Sequence, residues 1–359
     1  MNSTTKKAWL LLEDSTLFEG KSFGSEGTSI GEVVFSTSMV GYEEAITDPN
    51  YYGQILAQTF PLIGNYGTNA EDMTSDKSYL KGYIVREWCE VPSNYRCEED
   101  INSFLNKMNI IGIYDIDVRK LTKILREKGA LKAMITSSPI TDINASLKEI
   151  SEYSIKDAVK TVTENFENKK VSDGNKYNVG VLNLGTCSYL TDALGKKDCN
   201  VTLLSPETPI EDMKVFDGIV LSEGPGNPYE NEKIIENIKA LIASKTPLLG
   251  IGLGHQLLAI ANGFNCKALL HGHRGSSQPV VDLKGKKTYI TSQNHRYYVD
   301  NIDETVAEIR FKNVNDLTCE GLNYKNIPAI SVQFRPSVDR SRQDTAFVYD
   351  EFLNSMKGR

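Results

Sequence analysis

The sequence predicts an α/β protein in two parts, a mixed α/β domain followed by a doubly wound one, and three observations carry that prediction. At 359 residues the chain is long enough to bury two cores. From Tyr177 onward short apolar runs alternate with helix-like stretches, the order that builds a parallel sheet covered on both faces. Between the halves lies Asn165-Phe-Glu-Asn-Lys-Lys-Val-Ser-Asp-Gly-Asn-Lys176, whose polar Asn/Lys/Gly composition marks a linker. The expected division is a domain over residues 1–165, a linker over 166–176 and a second domain over 177–359.

In the first part, residues 8–12, 16–19 and 30–36 are short apolar runs separated by Gly turns, a spacing that suggests small antiparallel strands. A helix-like piece precedes Pro49, and residues 54–60 read as a buried strand. Over Asp115–Gly129, Leu121, Ile124 and Leu125 fall at helical spacing and leave Arg119, Lys120, Lys123, Arg126 and Lys128 on the opposite face. That basic face reads first as a solvated one. The alternative is contact with an acidic surface on a partner.

In the second part, residues 178–184, 200–204 and 218–222 read as buried strands and 188–194 as a helix. After Pro247 a short apolar strand meets Gly250, Gly252 and Gly254, and a helix opens through His255 to Ala261. Such a strand-turn-helix elbow takes the form G-x-nucleophile-x-G in α/β hydrolytic enzymes, where the strained middle residue offers its side chain at the helix N-terminus. Here the middle residue is Gly252, which has no side chain to offer.

Composition narrows the partners. A formal net charge of −7 with no dense Lys/Arg cluster argues against a nucleic-acid surface. The N-terminus shows no signal core or Arg-rich transit pattern, and no apolar run approaches a membrane span, so a cytoplasmic location is expected. Six cysteines without a C-x-x-C pair indicate neither a zinc site nor a disulfide framework.

The elbow resembles the G-I-C-L-G-H-Q run of class I (triad) glutamine amidotransferases, with Gly252 at the cysteine. Ser222-Glu-Gly-Pro-Gly-Asn-Pro228 resembles the same family's S-N-G-P-G-D-P turn, with Glu223 and Asn227 in place of Asn and Asp. In the first half, the run T-S-M-x-G-Y-x-E-x-x-T-D-P over 37–49, then Phe60–Asn69 and Asp115–Gly129, are similar to the N-terminal domain of carbamoyl-phosphate synthetase small subunits. The resemblance spans nearly the whole chain. It implies a subunit that hydrolyses glutamine and passes ammonia to a large ATP-dependent partner, which makes carbamoyl phosphate for arginine and pyrimidine synthesis. No phosphate-cradling G-x-x-x-x-G-K-[ST] motif stands in this chain, so ATP and Mg are expected on the large subunit and no cofactor on this one.

The family's chemistry needs a cysteine thiolate, a histidine that activates it and a carboxylate that orients the histidine. The resemblance sets the last two in an H-P-E run, which here reads Arg335-Pro-Ser337. The triad positions are therefore Gly252, Arg335 and Ser337, and none of the three is intact. An arginine stays protonated at any relevant pH and cannot act as a base. Loss of one triad member can cost on the order of a millionfold in rate. Loss of the chain's own glutamine hydrolysis, and a complex that depends on ammonia, are the expected result. Two alternatives stand beside it: an active glutaminase with another nucleophile, for which Cys187 and Cys266 are the thiols nearest the turns, and a paralogue that binds a different small molecule.

The remaining pocket positions matched by the family are Ser38, Gly224, Gly226, Leu253, Gln256 and Asn294, with Arg296 and Tyr297 replacing the Gly-Phe of its Q-N-H-G-F run. A long cation at Arg296, where the substrate meets bare backbone, is expected to fill or recharge the pocket. His255, His271, His273 and His295 all fall in runs matched by the family. His271-x-His273 has no carboxylate or cysteine at ligand spacing, so no metal is expected.

Overall fold

The computed structural model describes residues 6–186, 188–336 and 344–357. It divides into two compact units, Met1–Ile155 and Lys156–Arg359.

The first unit is built from β1 (Lys7–Leu12), β2 (Leu17–Gly24), β3 (Thr28–Ser36), α1 (Tyr42–Thr47), β4 (Gln54–Gln58), β5 (Leu62–Ile63), β6 (Gly82–Ile84), β7 (Glu87–Trp88), α2 (Ile101–Lys107), β8 (Ile111–Tyr114), α3 (Val118–Lys128), β9 (Leu131–Thr136) and α4 (Ile143–Glu152). Seven of these strands close a barrel in the order β1-β2-β8-β6-β4-β3-β9. The expected antiparallel pattern is only half of it. Pairs β3–β4, β4–β6 and β6–β8 are parallel. A parallel pair needs a crossover, and α1 and α2 lie within the connections β3–β4 and β6–β8. Leu10, Val33, Ile55 and Ile113 fill the barrel side of one core with Leu121 and Leu125 of α3. Helix α3 starts on Asp117, whose side chain accepts from the Lys120 amide at 2.8 Å, and its five basic residues are exposed as expected.

The second unit contains α5 (Ala158–Val162), β10 (Lys169–Ser172), β11 (Asn178–Leu182), α6 (Ser188–Gly195), β12 (Asn200–Leu204), α7 (Ile210–Met213), β13 (Gly218–Leu221), α8 (Glu232–Ala243), β14 (Leu248–Ile251), α9 (Leu253–Ala261), β15 (Asn265–Asp282), β16 (Lys287–Asp300), β17 (Ala307–Asn313), β18 (Cys319–Tyr324), β19 (Ala329–Val332) and α10 (Phe347–Asn354). Its sheet runs β10-β12-β11-β13-β14-β19-β18-β16-β15-β17, with a parallel centre from β12 to β19. Successive strand residues point to opposite faces, so Ile219 and Leu221 join Ile238 of α8 and Leu257 of α9, while Val220 joins Leu190 of α6 and Phe352 of α10. This is the doubly wound arrangement that the alternation implied.

The boundary differs from the expected one. The stretch over 166–176 is not a free linker: Lys169–Ser172 pairs antiparallel with β12 as the sheet's edge strand, and the units divide between Ile155 and Lys156. An exposed edge strand needs no apolar face and favours lysine, so its sequence is as polar as a linker's.

Candidate functional site

The parallel strands β13, β14 and β19 lie side by side, and three segments leave their carboxyl ends together: the Ser222–Pro228 turn, the elbow, and Gln333 to Pro336. Ligands of open α/β sheets bind at such ends.

The elbow is built for close approach. A Cβ on Gly254 would stand 2.2 Å from the Leu221 carbonyl oxygen, and one on Gly250 would stand 2.7 Å from the Gly254 oxygen. Only glycine lets α9 pack this tightly against the strands. Gly252 has φ 57° and ψ −113°, the strained setting of a nucleophile elbow, and its amide donates to the Val332 oxygen at 3.0 Å. The space above it is taken. A Cβ on Gly252 would lie 2.8 Å from Cγ of Glu223.

Glu223 is itself held from two sides. Arg335 donates through Nε to Oε1 at 3.1 Å and Oε2 at 3.3 Å, and through Nη2 to Oε2 at 2.8 Å. The Tyr189 hydroxyl donates to Oε1 at 2.7 Å. The Arg335 guanidinium also stacks 4.8 Å over the Tyr189 ring. Burial, and then the Glu223 charge, push the Tyr189 hydroxyl well above its ordinary value, so it remains a donor. The Arg335 backbone is fixed in turn by its amide, which donates to the Ser292 oxygen at 3.0 Å. Fork-to-carboxylate pairing of this kind gives fixed geometry. Ser337, the third triad position, lies outside the described residues.

Sequence reasoning found Gly252 and Arg335 singly and missed that Glu223 joins them. The signal was there: an acid at 223 and a cation at 335 both depart from the family's pattern, in two turns at the same edge of the sheet.

Among the other pocket positions, Leu253 and Gln256 are buried on α9, and Gln256 Nε2 donates to the Tyr297 oxygen at 2.9 Å and to Gln333 Oε1 at 3.0 Å. Asn294, Arg296 and Tyr297 are half-buried on β16. Gly224 and Gly226 lie in the 222–228 turn, and a Cβ on Gly224 would stand 2.3 Å from the Leu184 oxygen. Ser38 belongs to the first unit, in the loop after β3, where its carbonyl accepts from Gln58 Nε2 at 3.2 Å.

Burial keeps two thiols of the second unit protonated. Cys266 lies on β15 with its thiol pushed up to about 12 by burial, and Cys319 is pushed up to about 12 likewise. Cys89 and Cys97 belong to the first unit, and Cys187 lies outside the described residues. His255 is fully buried on α9 with Nδ1 2.7 Å from Ser331 Oγ, and burial pulls it down to about 3, so it stays neutral.

His273 has carboxylates that sequence spacing did not show. Asp316 Oδ2 stands 2.9 Å from its Nε2, and Glu320 Oε1 stands 3.3 Å from its Nδ1. The potential ligand atoms of His273, His295 and Glu320 lie within 4.8 Å of one another. Each is engaged by protein groups: Glu320 accepts from Gln293 at 3.0 Å and Asn313 at 3.1 Å, and His295 contacts Gln293 Oε1 at 3.0 Å and the Tyr297 oxygen at 2.7 Å. The cluster is a closed hydrogen-bond network.

Two family models match the chain: carbamoyl-phosphate synthase small chain, CPSase domain, over residues 10–135, and glutamine amidotransferase class-I over residues 181–355. The chain is 41% identical over 351 residues to the carbamoyl phosphate synthase small chain of Clostridium perfringens, covering 97% of this chain and 99% of that one. It is 40% identical over 354 residues to the carbamoyl phosphate synthase pyrimidine-specific small chain of Bacillus subtilis, covering 98% and 96%.

Proposed function

This chain belongs to the carbamoyl-phosphate synthase small-chain family, and from that premise we propose that it supports carbamoyl phosphate synthesis while no longer hydrolysing glutamine itself. The observation that carries the reading is Gly252: at the point of the elbow there is no side chain, and the Glu223–Arg335 pair stands where an activating base is needed. A guanidinium cannot take a proton from a nucleophile. The buried thiols of Cys266 and Cys319 hold their protons and offer no thiolate.

In this reading the chain's task is to bind and stabilise a large synthetase subunit, which carries the ATP and Mg chemistry and draws on free ammonia for carbamoyl phosphate destined for pyrimidine and arginine synthesis. Full-length likeness to small chains supports a large-subunit partner.

The test combines the chain with its cognate large subunit, supplies glutamine or ammonium chloride as sole nitrogen source, and follows carbamoyl phosphate and glutamate. Product from ammonium and no glutamate release above background are expected. Glutamate release by the unaltered complex would overturn the reading.

A further inference from the structure

Resting on the reading that hydrolysis is lost, we propose that Glu223 is the residue that closes the old glutamine site: a plug, locked by Arg335 and Tyr189, that excludes both a side chain at position 252 and a carboxamide substrate beside it. The site is then not a glutaminase lacking one atom. It is a filled site.

Three observations converge. Glu223 Cγ lies 2.8 Å from where a Cβ on Gly252 would be, and Glu223 Cβ lies 3.3 Å from it, inside normal contact. The conformation that places Cγ there is held at its far end, because both carboxylate oxygens are engaged at 2.7 to 3.3 Å by Arg335 and Tyr189. Glu223 is also tied at its backbone, where its carbonyl accepts from the Thr186 amide at 3.2 Å and from Ser222 Oγ at 2.8 Å. The neighbour cannot swing aside without breaking an ion pair.

This links substitutions that look independent in the sequence. With glycine at 252 the acid has room; with the acid in place an arginine at 335 has a partner; with both in place neither thiol nor carboxamide has space. Reversal of position 252 alone therefore meets a steric and an electrostatic obstacle, since the carboxylate also opposes a thiolate or oxyanion beside it.

The test compares full-length chains carrying Gly252→Cys alone and Gly252→Cys with Glu223→Ala. Alkylation of the peptide that contains position 252 by iodoacetamide is followed by mass spectrometry, which separates it from the native thiols. The double variant should react at least tenfold faster; equal rates would overturn the plug while leaving the loss of hydrolysis untouched. A second measurement holds even where the single cysteine variant folds poorly. In a cycle of Gly252→Ala and Glu223→Ala, the fall in Tm caused by the alanine at the elbow should shrink by several degrees once Glu223 is removed. Strictly additive shifts would overturn the proposal, because backbone strain at φ 57° is the same in both backgrounds.

Discussion

Two buried acids in the second unit, Glu223 and Glu320, show what distinguishes a rewritten site from a maintained scaffold. Glu320 is fully buried and divides its oxygens among Gln293, Asn313 and His273, in strands that hold the long hairpin in register. Glu223 is nearly as buried, and its carboxylate is held by the permanent Arg335 cation and the Tyr189 hydroxyl at the rim of the parallel strands. The first acid belongs to a network of neutral donors and a titratable ring. The second belongs to a lock between turns, whose removal frees space rather than opening the core. Charge burial alone does not mark a functional site; what matters is whether the surrounding groups would be orphaned without the charge.

The sharpest way to break the comparison is to truncate both acids. Glu320→Ala removes one acceptor each from Gln293, Asn313 and His273 inside the core and should cost about 3 kcal/mol in chemical denaturation. Should Glu223→Ala cost as much, the contrast fails. Its expected cost is smaller, about 1 kcal/mol, because Arg335 keeps 29% of its side chain in solvent and can turn outward. Removing the cation instead, by Arg335→Ala, leaves the Glu223 carboxylate buried beside the Tyr189 hydroxyl without its compensating charge, and about 2 kcal/mol is expected.

The pH dependence sharpens it further. Burial disfavours the charged form of His273, but the Glu320 and Asp316 carboxylates prevail and raise its value above the ordinary 6.5; the remaining titratable ring facing it is His295, 5.0 Å away. A raised value means the folded state holds the proton more tightly than the unfolded chain. The stabilisation is therefore complete below about pH 6.5 and is lost as pH rises through the folded value. A denaturation midpoint that falls across that window, and a shallower fall for His273→Gln, are expected. The Arg335 cation does not titrate in that window. In the first unit a slope of the same sign comes from Glu43, fully buried against the Asn69 amide and raised to about 7 by burial. Its folded value lies above its unfolded one, so stability should decline from about pH 4.5 to about pH 7. Glu43→Gln should remove that slope.

Much of the second unit was legible. The strand-helix alternation, the elbow and the glycine turn depend on local apolar runs and on glycines that only fit where chains approach closely, and Gly250 and Gly254 sit against carbonyl oxygens as such glycines must. The barrel was less so: parallel pairing of β3, β4, β6 and β8 joins segments whose own patterns do not reveal their neighbours. Lys169–Ser172 was read as a linker because an edge strand and a linker share a polar composition. Asp316 and Glu320 approach His273 from a segment more than 40 residues away, which no ligand spacing discloses.

The identity of the residues at the triad positions was decided in the sequence itself. A glycine at the elbow has no nucleophile and an arginine has no basic lone pair, whatever surrounds them, because those are properties of the side chains. What fills the gap was decided by tertiary structure. Glu223 and Arg335 are 112 residues apart and meet because β13 and β19 flank β14, which brings the turn after each strand to either side of Gly252.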